Sequence, residues 1–377
     1  MREEQPRLAL FASFSGQGGV ERMLVHLMQG FCAQGYQVDL LLVRARSTYL
    51  DALPEGVRCI PLGPRHTWLA SVALARWLRR ERPPVLLVVK DRAGRAAVIA
   101  RALAATDTRL VLRLGTNLSA ALSGGNPLKR WLRLLPIRRL YPAIEQIVAV
   151  SAGVAEDTAR IARLPRSQIR VIRNPVITPR LAELAAAPCP HPWLAESASI
   201  PVIIGAGRLQ RQKDFPTLLR AFSRVKQQRA CRLLIIGDGR GRDSLAALAE
   251  TLGLRLGVDG DLELPGFQRN LYAWLARADL FVLSSAWEGS PNVLTEALAL
   301  GIPAVATDCP SGPRELLEDG RYGPLVPVGD SEAMASAMLR TLDDPLPANR
   351  LKQAVADYGQ AASARAYLDA MGIQAPQ

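Results

Sequence analysis

Glu288-Gly289-Ser290-Pro291-Asn292-Val293-Leu294-Thr295-Glu296 lies between a short apolar run, Leu280-Phe281-Val282-Leu283-Ser284-Ser285, and a helical stretch, Ala297-Leu298-Ala299-Leu300, that stops at Gly301. The run reads as a strand and the stretch as a helix. The nine residues are then a strand-to-helix turn, with Gly289 and Ser290 in the turn and Pro291 near the first helical position. The opening amides of such a helix, those of Asn292, Val293 and Leu294, have no carbonyl partner within it and favour an anion. Two carboxylates flank that position: Glu288 before the turn and Glu296 nearly two turns into the helix. A carboxylate only accepts hydrogen bonds, so a molecule with several hydroxyls suits it. A phosphate flanked by hydroxyls describes a sugar nucleotide. Ion-paired surface glutamates would give the same spacing, and the decision falls to the rest of the chain.

Two further strand-to-turn stretches bear on it. Ile200-Pro201-Val202-Ile203-Ile204 runs into Gly205-Ala206-Gly207-Arg208-Leu209-Gln210-Arg211-Gln212-Lys213-Asp214-Phe215, ahead of a helix containing Leu218, Leu219, Ala221 and Phe222. Small glycines let a ligand approach the backbone, and Arg208 with Lys213 offers two cations to a diphosphate. Replacing either by Ala should weaken nucleotide-diphosphate binding with little effect on folding. A solvated basic loop is the plain alternative. Leu233-Leu234-Ile235-Ile236-Gly237-Asp238-Gly239-Arg240 is a second such strand end, without the full glycine fingerprint of a dinucleotide site.

Together these stretches resemble the retaining glycosyltransferases of family 4. The ordered match runs through Gly207 to Phe215, Gly237-Asp238-Gly239, Leu264-Pro265-Gly266-Phe267, Glu288 to Glu296, Asp308-Cys309-Pro310-Ser311-Gly312-Pro313-Arg314-Glu315 and Leu325 to Asp330. In the first half it includes Gly18-Gly19-Val20-Glu21-Arg22, Val148-Ala149-Val150-Ser151 and Asn174-Pro175-Val176. The resemblance implies an α/β chain of GT-B architecture: two facing Rossmann-like domains with parallel sheets and a cleft between them. It implies transfer of a sugar from a nucleotide-diphosphate sugar without a protein nucleophile, metal or cofactor. Arg208, Lys213 and the amides at Asn292 to Leu294 would hold the departing diphosphate. Glu296 would accept from the ribose and Glu288 from the donor sugar. Ser290 and Pro291 would bind the donor from the turn, the backbone at Gly266, Phe267 and Gln268 would frame the base, and Gly18 and Gly19 would face the donor from the first domain. Many relatives carry a histidine near the strand end Gly115-Thr116-Asn117; here none occurs between His66 and His191, and Thr116 or Asn117 would stand in.

The whole chain fits this class. Its 377 residues suit two domains. The expected boundaries are 1–178, a Pro- and Ala-rich linker over 179–199, a nucleotide-sugar domain over 200–355, and a helix over 356–377 that crosses back. Five scattered cysteines with no Cys-x-x-Cys fit reduced thiols in a cytoplasm. No apolar run is long enough to span a bilayer, and the N-terminus lacks the pattern of a signal peptide. Residues 1–180 hold 28 Lys and Arg against 12 Asp and Glu; the remainder hold 19 against 22, which together make the net +13. A basic half points to an anionic surface or substrate, and no nucleic-acid motif is present. Leu128 to Tyr141, with Lys129, Arg130, Arg133, Arg138 and Arg139 among Trp131, Leu132, Leu134, Leu135, Ile137 and Leu140, reads as a basic amphipathic stretch for an anionic membrane, interrupted by Pro136. Asp259-Gly260-Asp261 sits in a polar loop and is not assigned a metal. The donor would be UDP-linked and the acceptor a glycan or lipid-linked molecule of bacterial polysaccharide or lipopolysaccharide synthesis. Rival readings remain: a sugar-nucleotide 2-epimerase of the same architecture, a nicotinamide oxidoreductase, or a binding protein without catalysis.

Overall fold

Apolar strand runs that are buried on both faces demand helices on both sides, and strand and helix alternate along this chain accordingly. A computed structural model describes residues 6–14, 19–45, 47–63, 67–122, 127–195 and 199–373. The chain forms two units, Met1–Val176 with Asp357–Gln377, and Ile177–Ala356.

In the first unit the strands are β1 (Arg7–Phe14), β2 (Gln37–Ala45), β3 (Val57–Pro61), β4 (Val85–Val89), β5 (Arg109–Leu114), β6 (Gln146–Ala149) and β7 (Ile169–Val171). Among the described residues they make one sheet in the order β3-β2-β1-β4-β5-β6-β7, every pairing parallel. Alternate residues of β1 feed opposite cores: Leu8 and Leu10 pack with Met28 and Leu368, whereas Ala9 and Phe11 pack with Leu74 and Leu86. The helix Gln360–Met371 belongs to this unit. It lies so close to the helix Gly19–Ala33 that a Cβ on Gly30 would stand 2.8 Å from Ala364 Cβ.

In the second unit β8 (Val202–Ala206), β9 (Arg232–Ile236), β10 (Leu262–Gly266), β11 (Leu280–Leu283), β12 (Ala304–Thr307) and β13 (Leu325–Val326) form a parallel sheet in the order β10-β9-β8-β11-β12-β13. Its order reverses between β8 and β11. Open α/β sheets bind ligands beyond the carboxyl ends of the strands at such a reversal. The two stretches that follow β8 and β11, far apart in sequence, are therefore neighbours in space.

Two local expectations change. The residues expected as a linker pack on the second unit: Leu181–Ala186 is a helix, Trp193 is buried, and its Nε1 donates to the Val258 carbonyl at 2.7 Å. His191 Nε2 meets Glu263 Oε2 at 2.8 Å, and Asn270 Nδ2 donates to the Leu184 carbonyl. Proline-rich composition suggested a loose connection, but the apolar gain of burying Trp193 and Leu194 outweighs it. The basic stretch is one helix, Pro127–Leu140, with Pro136 inside it. The carbonyl that loses its donor there belongs to Leu132, on an exposed turn where water can replace the missing bond.

Candidate active site

β8 ends at Ala206, and Gly207 adopts φ +154, a conformation open to glycine. A Cβ there would lie 2.8 Å from Lys213 Cε, so the absent side chain makes room for the lysine stem. A single turn, Arg211–Lys213, and a left-handed Asp214 then lead into the helix Phe215–Lys226. Beyond β11 the chain runs through Ser284 to Pro291 and into the helix Asn292–Leu300. Three hydrogen bonds stitch the two loops together: Ala286 N–H to the Gln212 carbonyl at 2.8 Å, Ser284 Oγ to the Lys213 carbonyl at 2.7 Å, and Gln212 Nε2 to the Trp287 carbonyl at 3.0 Å.

This stitching brings Lys213 Nζ to 2.6 Å from Glu288 Oε1. Ser285 Oγ donates to the same oxygen at 2.7 Å. The side chains are mostly enclosed, with Lys213 17% and Glu288 8% exposed. Lys213 is thus part of a buried ion pair rather than of a solvated loop, and its removal bears on folding as well as on binding. Beside the pair, burial and the Glu288 charge push the Cys309 thiol up to about 12, so it stays protonated.

Pro291 caps the helix and Thr295 N–H bonds to the Pro291 carbonyl, so the helix starts at Asn292. Glu296 is its fifth residue, little more than one turn in rather than nearly two, and is buried. The turn is walled by the loop after β12. Gly312 has φ +97, and a Cβ on it would meet Pro291 Cδ at 2.7 Å, while Glu288 N–H bonds to the Pro310 carbonyl. Val293 is half-buried and Leu294 buried on this helix, and Ser290 is half-buried in the turn.

The other expected residues are more dispersed. Arg208 is exposed and makes no ion pair among the described residues. Gly266, at φ +78, ends β10 and accepts from Gly237 N–H. Phe267 and Gln268 follow it half-buried, with Gln268 Nε2 donating to the Pro265 carbonyl at 3.1 Å. In the first unit Gly19 opens a helix, whereas Gly18 and the rest of Ser15–Gly18 lie outside the described residues. Asn117 is buried, and its Oδ1 accepts from Ala120 N–H and Ser119 Oγ, so it caps the short helix Leu118–Leu122. Asp261 is held by Lys226 at 2.6 Å and by Arg255 N–H, a structural use of that carboxylate.

The sequence matches two family models in succession: Glycosyltransferase Family 4 over residues 17–180 and Glycosyl transferases group 1 over residues 200–344. The lipopolysaccharide core biosynthesis glycosyltransferase LpsE of Rhizobium meliloti is 30% identical over 356 residues, 92% of this chain and 91% of that protein. The chain belongs to glycosyltransferase family 4.

This family 4 glycosyltransferase is also 27% identical, over 90% of both chains, to the N-acetylgalactosamine-N,N'-diacetylbacillosaminyl-diphospho-undecaprenol 4-alpha-N-acetylgalactosaminyltransferase of Campylobacter jejuni. Among solved structures, HepE of Anabaena in complex with UDP-glucose matches with a TM-score of 0.77, covering 97% of this chain and 99% of that one at 17% identity. A glycosyltransferase from Rickettsia africae gives 0.76 at 16% identity, over 97% of each chain. At these identities the likeness speaks to the fold, which is GT-B. For the glycosyltransferase, sequence reasoning missed Ser285 and Gln212, which hold Glu288 and its loop in place. Ser285 had a signal: a hydroxyl at a strand end, three residues before a carboxylate.

Proposed function

We infer that this glycosyltransferase moves a sugar from a UDP-linked donor, with retention at the anomeric carbon, to a glycan or lipid-linked acceptor of cell-surface polysaccharide or lipopolysaccharide synthesis. The observation that carries the donor reading is the Lys213–Glu288 pair at the strand-order reversal of the second sheet, beside the N-terminus of the helix Asn292–Leu300. An ammonium has three donors. One is engaged by Glu288, and the others are suited to a phosphate oxygen. The exposed Arg208 adds a second cation. In the transfer the bond from the sugar C1 to the diphosphate oxygen breaks while the acceptor oxygen bonds C1 on the same face. The acceptor proton passes to a departing phosphate oxygen. Charge grows on that diphosphate, and stabilising it by Lys213, Arg208 and the amides of Asn292 to Leu294 is the main catalytic task. Glu296 takes the ribose, Glu288 a sugar hydroxyl, and the backbone at Gly266, Phe267 and Gln268 the base. The UDP donor is supported by HepE, which shares the fold, and the acceptor class by LpsE and the Campylobacter enzyme, which are similar in sequence.

Unfolding followed with and without ligand tests this reading. UDP at 100-fold over its dissociation constant should stabilise by about 2.7 kcal/mol. Incubation with UDP-sugars and no acceptor should give slow hydrolysis with retained configuration. Epimerised donor would instead mark a 2-epimerase.

Attachment to an anionic membrane surface belongs to the same proposal. On the helix Pro127–Leu140, Trp131 and Leu132 are 51% and 55% exposed beside the exposed Arg133 and Arg139. No helix among the described residues is long and apolar enough to cross a membrane. Vesicles containing anionic lipid should therefore bind the protein at low salt, neutral ones poorly.

A further inference from the structure

We propose that Ser285 is a positioning residue of the donor site: with Lys213 it saturates Oε1 of Glu288 and leaves Oε2 as the one oxygen that reads a hydroxyl of the donor sugar. This rests on the reading of the second unit as the donor site.

The geometry is specific. Ser285 is fully buried, and its hydroxyl donates to Glu288 Oε1 at 2.7 Å while Lys213 Nζ approaches the same atom at 2.6 Å. A carboxylate oxygen has two lone pairs, so Oε1 has no acceptor capacity left. Among the described residues no hydrogen bond reaches Oε2. The main chain of Ser285 is itself fixed, because Thr307 Oγ1 donates to its carbonyl at 2.6 Å. The serine therefore offers its single donor from a rigid support. Lys213 alone could not do this. Its ammonium ends a four-carbon stem with many rotamers, and the terminal torsion of a glutamate is soft. Two donors from different directions on one oxygen set the carboxylate plane and aim the other oxygen.

One aimed oxygen discriminates by the presence of a hydroxyl, because an analogue lacking it covers that oxygen without giving it a partner. Loosening the carboxylate should blur this discrimination without touching nucleotide affinity.

The test uses the full chain with UDP and with UDP-glucose, UDP-galactose, UDP-N-acetylglucosamine and UDP-N-acetylgalactosamine. The donor that wild type hydrolyses fastest is then compared with its monodeoxy analogues. Ser285→Ala should lower kcat/KM for that donor about tenfold and reduce discrimination against one deoxy analogue by a similar factor. The dissociation constant of UDP should stay within about twofold, well under the tenfold that 1.4 kcal/mol represents. In a Glu288→Ala background, adding Ser285→Ala should change neither quantity, because its effect runs through Glu288. Unaltered discrimination in Ser285→Ala, an equal loss of UDP affinity, or a full further loss in the Glu288→Ala background would each overturn the positioning role. If wild type binds neither UDP nor any of the four donors, the donor-site reading itself fails and this role with it.

Discussion

Lys213→Ala separates a buried pair from a surface loop. The substitution removes the ammonium 2.6 Å from Glu288 Oε1 and leaves Ser285 as the remaining donor to a carboxylate whose side chain is 8% exposed. Deleting one partner of a buried ion pair costs about 3–5 kcal/mol, because the other charge stays behind in a poorly solvating site. Lys213 keeps 17% exposure, so water can enter where it stood, and the lower end of the range applies, about 3 kcal/mol. The second unit spans Ile177–Ala356. For a domain of that size each kcal/mol moves Tm by about 2–4 °C, so its transition should fall by about 6–12 °C. Adding Glu288→Gln to Lys213→Ala removes the stranded charge and should restore most of that loss. The assay is calorimetry of the full chain at neutral pH, with UDP affinity measured in parallel below the transition. A Lys213→Ala variant that unfolds within a degree or two of wild type, with no recovery in the double variant, would refute the pairing. Coupled folding and binding effects would support it, and would mean that the lysine links the leaving group to the sugar contact through one shared carboxylate.

Other outcomes separate the remaining roles. Arg208→Ala should weaken UDP binding by about 1.5–3 kcal/mol while leaving Tm unchanged, since its side chain is exposed; equal affinity in wild type and variant would remove it from the site. Glu296→Gln should weaken free UDP, whereas Glu288→Gln should spare UDP and cut sugar-nucleotide turnover, and identical UDP affinities in both would end that division. Burial, with the Arg22 charge, pushes the His26 imidazole down to about 4 against the Pro175 carbonyl bond that favours the charged form. The folded state therefore holds it neutral while the unfolded state takes up a proton near pH 6.5, so this stability is complete above pH 6.5 and is lost as pH falls toward 4. The loss is up to about 3 kcal/mol. His26→Gln should flatten denaturant-derived stability across that window relative to wild type, and parallel curves would argue against it. Replacing Arg133, Arg138 and Arg139 by Gln should release the protein from anionic vesicles with UDP affinity intact; wild type that ignores such vesicles at low salt would confine these arginines to a solvated helix face.

Much of the fold was legible because the central strands are short apolar runs ended by glycine or a polar turn, as in Val85–Val89 and Val202–Ala206. Periodicity and punctuation are local, and so are strand-to-helix turns such as Glu288 to Asn292. What was illegible depends on topology. Lys213 and Glu288 each looked like a free functional group, and only the adjacency of β8 and β11 turns them into a pair. Pro136 misled for a related reason: the rule against internal proline counts a lost hydrogen bond, and exposure at Leu132 lowers that cost. The Pro- and Ala-rich stretch at 179–199 was judged on average composition, although Trp193 alone was enough to dock it. Asn117 was weighed as a substitute for a histidine, but an asparagine just before a helix is first of all a cap.

Charge is distributed unevenly along the chain. In the first 180 residues 28 basic side chains outnumber 12 acidic ones by 16, an excess reduced only where an acid from outside the stretch approaches, as Asp369 does Arg170 at 3.7 Å. Several of the acids are already shared: Asp39 accepts from both Arg7 and Arg58, and Asp91 from Arg95 and Tyr141. Arg113 is an exception, buried and donating to Asn174 Oδ1 at 2.8 Å; the rest of the surplus favours sites that water can solvate, as a field over the surface. The second unit behaves in the opposite way, closing Lys213 onto Glu288. A surface field raises the encounter rate with an anionic partner and is screened within about 10 Å at 0.1 M salt, whereas an enclosed pair is screened far less. Raising ionic strength should thus slow capture of an anionic acceptor or membrane by the first unit while leaving UDP affinity in the second comparatively constant. Salt sensitivity becomes a way to tell which unit limits a measured rate.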